Sequence, residues 1–207
     1  MSASASGRPH VLLLSLDVNS SFDQLYQRIL GKLNTAAILD RATKPESALQ
    51  GLEDQSPHAV LVTDGSITHY RGVYAGLLDY VRGGGTLVLM GNFSSTIRPK
   101  DLDKFFHDAG LPWTHADYMR TMVYRNDTTE GVSSYASLPS SYSQKAVFLA
   151  NVPVHDAWYL PTDSSRTESL VFPSEWIQNL QQTPIALTSI GNGRLGYVGD
   201  VNGHTCQ

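Results

Sequence analysis

The stretch Leu77–Ser95, LLDYVRGGGTLVLMGNFSS, decides how this chain is read. It closes an apolar helical stripe at Val81 and turns the backbone through Gly83, Gly84 and Gly85. Thr86–Met90 is then apolar at nearly every position. A short run of that kind suits the middle of a parallel sheet covered on both faces. The run breaks at Gly91-Asn92 into the polar segment Phe93-Ser94-Ser95. Ligands of open α/β sheets bind outside the carboxyl ends of the strands, so whatever this protein binds is expected near Asn92.

Upstream, strand-sized apolar runs alternate with helical stripes. Val11–Leu16 is a strand that leaves the sheet at Asp17. Phe22, Leu25, Tyr26, Ile29, Leu30 and Leu33 recur at steps of three and four, which predicts one amphipathic helix. Ala36–Leu39 reads as a short second strand, and Thr43 with Glu46 forms a capping-box pair around Pro45 that starts a helix through Asp54. Ala59–Thr63 is a third strand ending in Asp64-Gly65-Ser66, and the helix after it presents Tyr70, Val73, Tyr74, Leu77, Leu78 and Val81. Pro99 opens a further helix that Gly110 stops. This alternation predicts an α/β fold of the flavodoxin-like, three-layer kind: a mostly parallel central sheet with helices on both faces. Thr86–Met90 is expected at its centre, flanked by Val11–Leu16 and Ala59–Thr63.

After Pro112 the alternation fails. Met119–Arg125 and Gln144–Asn151 read as strands, and residues 126–143 between them form a polar, aperiodic loop expected to act as a lid or mobile insertion. Residues 161–168 read as surface loop. Pro184–Ser189, the turn Gly191-Asn192-Gly193 and Arg194–Val198 predict a C-terminal β-hairpin. Residues 1–9 are expected to be a flexible tail and 10–207 a single domain.

A net charge of -4 and a pI near 5.9 leave no face-wide basic patch, so no nucleic-acid partner is expected. No apolar run reaches membrane-spanning length and the start lacks a signal-peptide pattern, so no membrane partner and a cytoplasmic location are expected. Cys206 is the single cysteine, which excludes an internal disulfide and any multi-cysteine metal site.

Three features together resemble the class I glutamine amidotransferase-like superfamily. They are the strand ending in Asp64-Gly65, the run Tyr80-Val81-Arg82-Gly83-Gly84-Gly85-Thr86-Leu87-Val88-Leu89-Met90-Gly91, and the C-terminal TPIALTSIGNGRLGYVGDVNG over 183–203. The last is similar to the amidotransferase-like and trehalose-utilisation-type members. The resemblance covers roughly residues 10–110 and 183–203 and speaks for fold more than for activity. It implies a nucleophile on the turn after the central strand, and that position here is Asn92, an amide with no useful nucleophilicity. It implies a His-x-Glu pair after the last strand, where this chain has Asp200-Val201-Asn202-Gly203-His204. Glutamine hydrolysis is therefore not expected, and neither Cys206 nor a final family helix is expected to contribute.

The residues themselves offer several chemistries. Asn92 presents two amide donors that suit a carbonyl or carboxylate, and equally suits a turn that needs an unusual backbone conformation. Ser94 and Ser95 are displaced nucleophiles or, more commonly, caps. His155-Asp156, with Asp64 or Asp200, would make an acid–base pair or a metal site, although no ligand spacing is present and no metal or cofactor is expected. Asp17, Asp64 and Asp200 all end strands; sharing one crevice would raise at least one pKa, while the plain alternative is that each caps a turn. Trp113, Trp158, Trp176, Tyr118, Tyr159 and Phe172 wall a pocket or fill the core. The main pocket is thus expected among Asp17, Asp64, Ser66, Gly91, Asn92, Ser94, His155, Asp156 and Asp200. Three functions fit: a pseudo-enzyme or small-molecule-binding module, a hydrolase or lyase using a relocated serine, histidine or carboxylate, and a homodimeric interaction subunit.

Overall fold

Each apolar run in the first 110 residues feeds a striped helix, and that alternation builds the main sheet. The computed structural model describes residues 7–17, 20–54, 56–129 and 137–201. Its first half runs β1 (His10–Leu14), α1 (Phe22–Leu25), α2 (Gln27–Ala36), β2 (Ile38–Ala42), α3 (Pro45–Asp54), β3 (Ala59–Val62), α4 (Arg71–Arg82) and β4 (Thr86–Leu89). Then come α5 (Phe93–Thr96), α6 (Pro99–Asp108), β5 (Thr114–Arg125), β6 (Ser141–Ala150), β7 (Tyr159–Leu160), β8 (Ile185–Ile190) and β9 (Gly193–Val198). The main sheet has the order β2-β1-β3-β4-β9-β8, parallel throughout except for the antiparallel hairpin β8/β9. This is the expected α/β fold, with flavodoxin-like strand order.

β4 lies inside the sheet, between β3 and β9. The expectation that Val11–Leu16 flanks it is corrected: β1 pairs with β2 and β3. The first crossover carries the chain outward from β1 to β2, and the second returns past β1 to β3. The chain therefore changes direction at β1/β3, and that switch point sets where the sheet edge can open.

One face of the sheet sends Leu12, Leu14, Val60, Val62, Leu87 and Leu89 against Leu77, Val81, Phe105 and Phe106 of α4 and α6. Each such buried side chain contributes about 1.5–3 kcal/mol. The opposite face is thinner. Val11, Leu13 and Leu61 pack on Phe22 and Tyr26, whereas Val88 and Met90 stay half-buried. Full cover of Thr86–Met90 on both faces is thus not found. The predicted stripe from Phe22 to Leu33 is also interrupted, because the helix breaks at Tyr26 (φ -105°, ψ 14°). Tyr26 at the break is buried, and α2 after it has no fully buried side chain.

Other boundaries differ locally. Residues 36–39 are split, with Ala36 ending α2 and the strand running Ile38–Ala42. At the start of α3 the reciprocal bond is one residue later than expected, with Ser47 Oγ accepting from Lys44 N at 3.3 Å. Downstream, the isolated strands become a second, antiparallel sheet of order β6-β5-β7. β6 begins at Ser141, inside the expected loop, and residues 130–136 of that loop lie outside the described residues. The two sheets are tied by Val147 N donating to Gly199 O and Tyr197 Oη donating to Val147 O, both at 3.0 Å. Trp113 and Tyr159 fill the core, while Tyr118, Phe172 and Trp176 are exposed. Among the described residues no helix is long and apolar enough to cross a membrane.

Candidate functional site at the sheet switch point

The first polar residues after β1 and β3 meet at the switch point. Ser15 and Thr63 are both buried, with their hydroxyl oxygens 2.9 Å apart. Thr63 Oγ1 donates its proton to Leu14 O at 3.0 Å, so the shared bond is donated by Ser15. These two residues, with Asp17, Phe22, Arg41, Asp64, Asn92 and Thr96, line a cavity of about 50 Å³. A more open recess of about 240 Å³, lined by Gly65, Thr68, His69, Thr96, Ile97, Arg98 and Asp101, adjoins it at Thr96.

Asp64 is one of the residues that line the cavity. It is 4 % exposed and extended, and its Oδ1 caps the following 3-10 turn by accepting from Ser66 N at 3.1 Å and from Ser66 Oγ. Its Oδ2 is buried with no partner among the described residues. The turn is pinned against α5: Gly65 N donates to Thr96 Oγ1 at 2.8 Å, which in turn donates to Asn92 O at 2.8 Å. Only glycine fits at 65, since a Cβ there would lie 2.6 Å from the Ile97 Cα. At the rim Arg41 spans Asp23, at 2.6 Å, and the Phe22 ring, 5.2 Å from its centroid.

The turn after β4 divides its work between two residues. Gly91 takes the left-handed conformation (φ 66°), where a Cβ would also meet Phe22 Cε2 at 3.2 Å. Asn92 is relaxed (φ -81°, ψ 1°), so the turn does not use it for an unusual backbone conformation. Nor does its side chain cap α5. Instead Asn92 Oδ1 accepts from Tyr26 Oη at 3.3 Å. Burial, with the nearby Asp200 charge, raises the Tyr26 phenol above its ordinary range, so it remains a donor.

The remaining sequence candidates do not line this cavity. Ser94 is buried and donates to Gly199 O at 3.0 Å, an anchoring bond to the backbone. Asp200 sits where β9 meets β6, with Tyr142 Oη 3.4 Å from its Oδ1. Burial pushes its carboxyl up to about 6, partly offset by the Tyr142 hydrogen bond. His155 is exposed, 3.8 Å from the Asp156 carboxylate. The bridge Ala157↔Ala186 puts this pair beyond β8, about three strand spacings or roughly 14 Å from β4. His155-Asp156 therefore joins neither Asp64 nor Asn92. Cys206 and His204 lie outside the described residues. Among the described residues no three histidine, cysteine or acidic side chains group as a metal-binding set.

Ser15, Thr63, Thr96, Arg41, Phe22 and Tyr26 belong to this region but are absent from the expected pocket. Ser15 and Thr63 had a signal: each is the first polar residue after an apolar strand. Tyr26 was legible as a member of the apolar stripe, but its bond to Asn92, 66 residues away, had no signal.

No family model and no curated protein matches the sequence. Solved structures do. The fold is similar to that of a ThuA-like protein from Bacteroides uniformis, with a TM-score of 0.62, 14% identity, and 99% of this chain and 88% of that one covered. It is similar to the N-terminal domain of mmIFT52, with a TM-score of 0.58, 12% identity and coverage of 94% and 86%. A β-galactosidase from Bacillus circulans sp. alkalophilus contains a similar unit, with a TM-score of 0.53 and 11% identity, spanning 93% of this chain but 28% of that enzyme. At these identities the likeness is one of fold alone.

Proposed function

We propose that this chain is a small-molecule-binding module of the amidotransferase-like kind, which keeps the ligand crevice of that fold and lacks glutaminase activity. One observation carries the reading: polar side chains delivered by β1, β3 and β4, among them Ser15, Thr63, Asp64 and Asn92, converge on a cavity at the sheet switch point. Switch-point crevices are where open α/β sheets hold ligands. The β4 turn carries an amide in place of a nucleophile, and the one buried serine beside it is bonded to backbone. Such a site orients a ligand and does not attack it. The likeness to a β-galactosidase spans too little of that enzyme to carry its activity over.

The test is a thermal-shift search of a small-molecule library, followed by calorimetry on wild type and Asn92→Leu. A ligand of this crevice binds the variant more weakly by about 1–3 kcal/mol, the cost of an unpaired buried polar group. Unchanged affinity, with the ligand located elsewhere, overturns the reading.

A second reading, a subunit that pairs with another copy of itself, is favoured by an exposed arm. Thr167 and Glu175 bond to each other, and the tip between them leaves Leu170, Val171 and Phe172 106%, 81% and 74% exposed. Sedimentation of wild type against Phe172→Ser separates the two. A dimer lost in the variant favours self-association, and a monomer in both removes it.

A further inference from the structure

The fold leaves two apolar surfaces short of cover, and they lie on different parts of the chain. The first is the tip of the arm. Arg166 and Trp176 bridge at its base, where the guanidinium lies 3.5 Å from the centre of the indole ring. Ser169 Oγ accepts from the amides of Val171 and Phe172, both at 3.1 Å. The tip is thus a built turn that holds Leu170, Val171 and Phe172 almost wholly in solvent.

The second is half of one face of the main sheet. On the side away from α4 and α6, the cluster around Phe22 and Tyr26 reaches Val88 and Met90 of β4 and includes no residue of β9 or β8. Across that limit Val88, Gly196 and Leu187 stand in register on β4, β9 and β8. A Cβ at Gly196 would meet Leu187 Cδ1 at 3.3 Å and Val88 Cγ2 at 3.4 Å, so these two side chains close over the glycine into a shallow apolar floor. Side chains alternate along a strand, which puts Arg194 and Ser189 on this same face, and both are exposed. A sheet face of this kind is normally covered by another element.

Charge and area point to one occupant. The tip is flanked by the exposed Glu168 and Glu175, and the floor by Arg194; none of the three forms an ion pair among the described residues. The two acids also set the tip against a bilayer, whose anionic surface attracts basic segments. Three side chains cover roughly 400–500 Å², about half of the ~800 Å² per partner in a standard interface. Tip against tip would therefore fall short. A reciprocal exchange about a two-fold axis uses one tip and one floor from each copy, and so doubles the area.

We propose that the arm tip of one copy docks on the uncovered β4-β9-β8 floor of a second copy, and the reverse, with Glu168 and Glu175 brought to Arg194. This rests on the self-association reading above and names the surface that receives the arm.

The experiment is disulfide trapping of the full chain in a Cys206→Ser background. Val171→Cys and Ser189→Cys are made separately, mixed, and oxidised mildly. A mixed 171–189 disulfide is expected to dominate over either homodimer. By sedimentation, Leu187→Lys and Arg194→Glu each raise the dimer dissociation constant at least tenfold. Thermal melts check folding, and Arg194→Glu, at an exposed position, carries the test if Leu187→Lys does not fold. A 171–171 disulfide without the mixed one, or an unchanged constant in folded Arg194→Glu, overturns the floor assignment and leaves self-association standing. A monomeric wild type overturns both. Pelleting of that monomer with phosphatidylcholine vesicles, lost in Phe172→Ser, would give the tip to a bilayer instead.

Discussion

Asp64 and Asp200 occupy equivalent places in the sequence and end in opposite circumstances. Each lies two residues beyond an apolar parallel strand, β3 or β9, and each has a glycine beside it. After β3 the chain turns at once into a 3-10 helix, and Asp64 lines a cavity, one of its oxygens buried with no partner among the described residues. After β9 the chain runs under β6, with Val201 N donating to Lys145 O at 2.9 Å, and Asp200 is roofed by the second sheet. A strand end delivers a carboxylate to the sheet edge; the next element decides whether it lines a cavity or is covered by a second sheet.

The largest effect that would sharpen this contrast is on the Asp64 side. Gly65→Val pushes a side chain into the Ile97 backbone, which cannot yield as a rotamer can, and is expected to cost about 3 kcal/mol by urea denaturation. A loss below 1 kcal/mol would mean that the turn and α5 are not rigidly joined.

Asp200 is expected to answer to pH. Its folded carboxyl titrates near 6 against an ordinary 3.8, so the folded chain holds the proton more tightly than the unfolded chain. Its stabilising contribution is whole below pH 3.8 and is lost as pH rises through 6, an effect of about 2–3 kcal/mol. Asp200→Asn should therefore match wild type at pH 3.5 and exceed it at pH 7.5. Parallel stability profiles of the two proteins from pH 3.5 to 8 would contradict this.

Two smaller effects follow. Tyr197→Phe removes the bond to Val147 O between the sheets and should cost about 1 kcal/mol in thermal unfolding. No effect at all is expected of Cys206→Ser on glutamine turnover, because none is expected in either protein; ammonia release from glutamine that the variant abolishes would refute that.

The same contrast marks what the sequence could reveal. Strand, helix and hairpin identities were legible because burial imposes periods of two and 3.6, and Asp64 and Asn92 were legible as the residues just past apolar runs. Strand order was not, since Val11–Leu16 reads equally well beside Thr86–Met90 as one strand further out. Burial of Asp200 depends on β6, more than fifty residues away, which looked like an isolated strand after a loop. The position of His155-Asp156 depends on a single bridge to β8. The bond from Tyr26 to Asn92 joins residues 66 positions apart, and the break between α1 and α2 falls where the stripe is continuous.

We propose that ligands enter at the β1/β3 switch point. The most direct measurement is amide NMR mapping of a chemically mixed fragment library on the full chain. Shifts from independent hits should converge on Gly65, Ser66, Asn92 and Thr96. Hits that gather instead on Leu170–Phe172, or beside Asp200 with the switch point silent, would contradict the account.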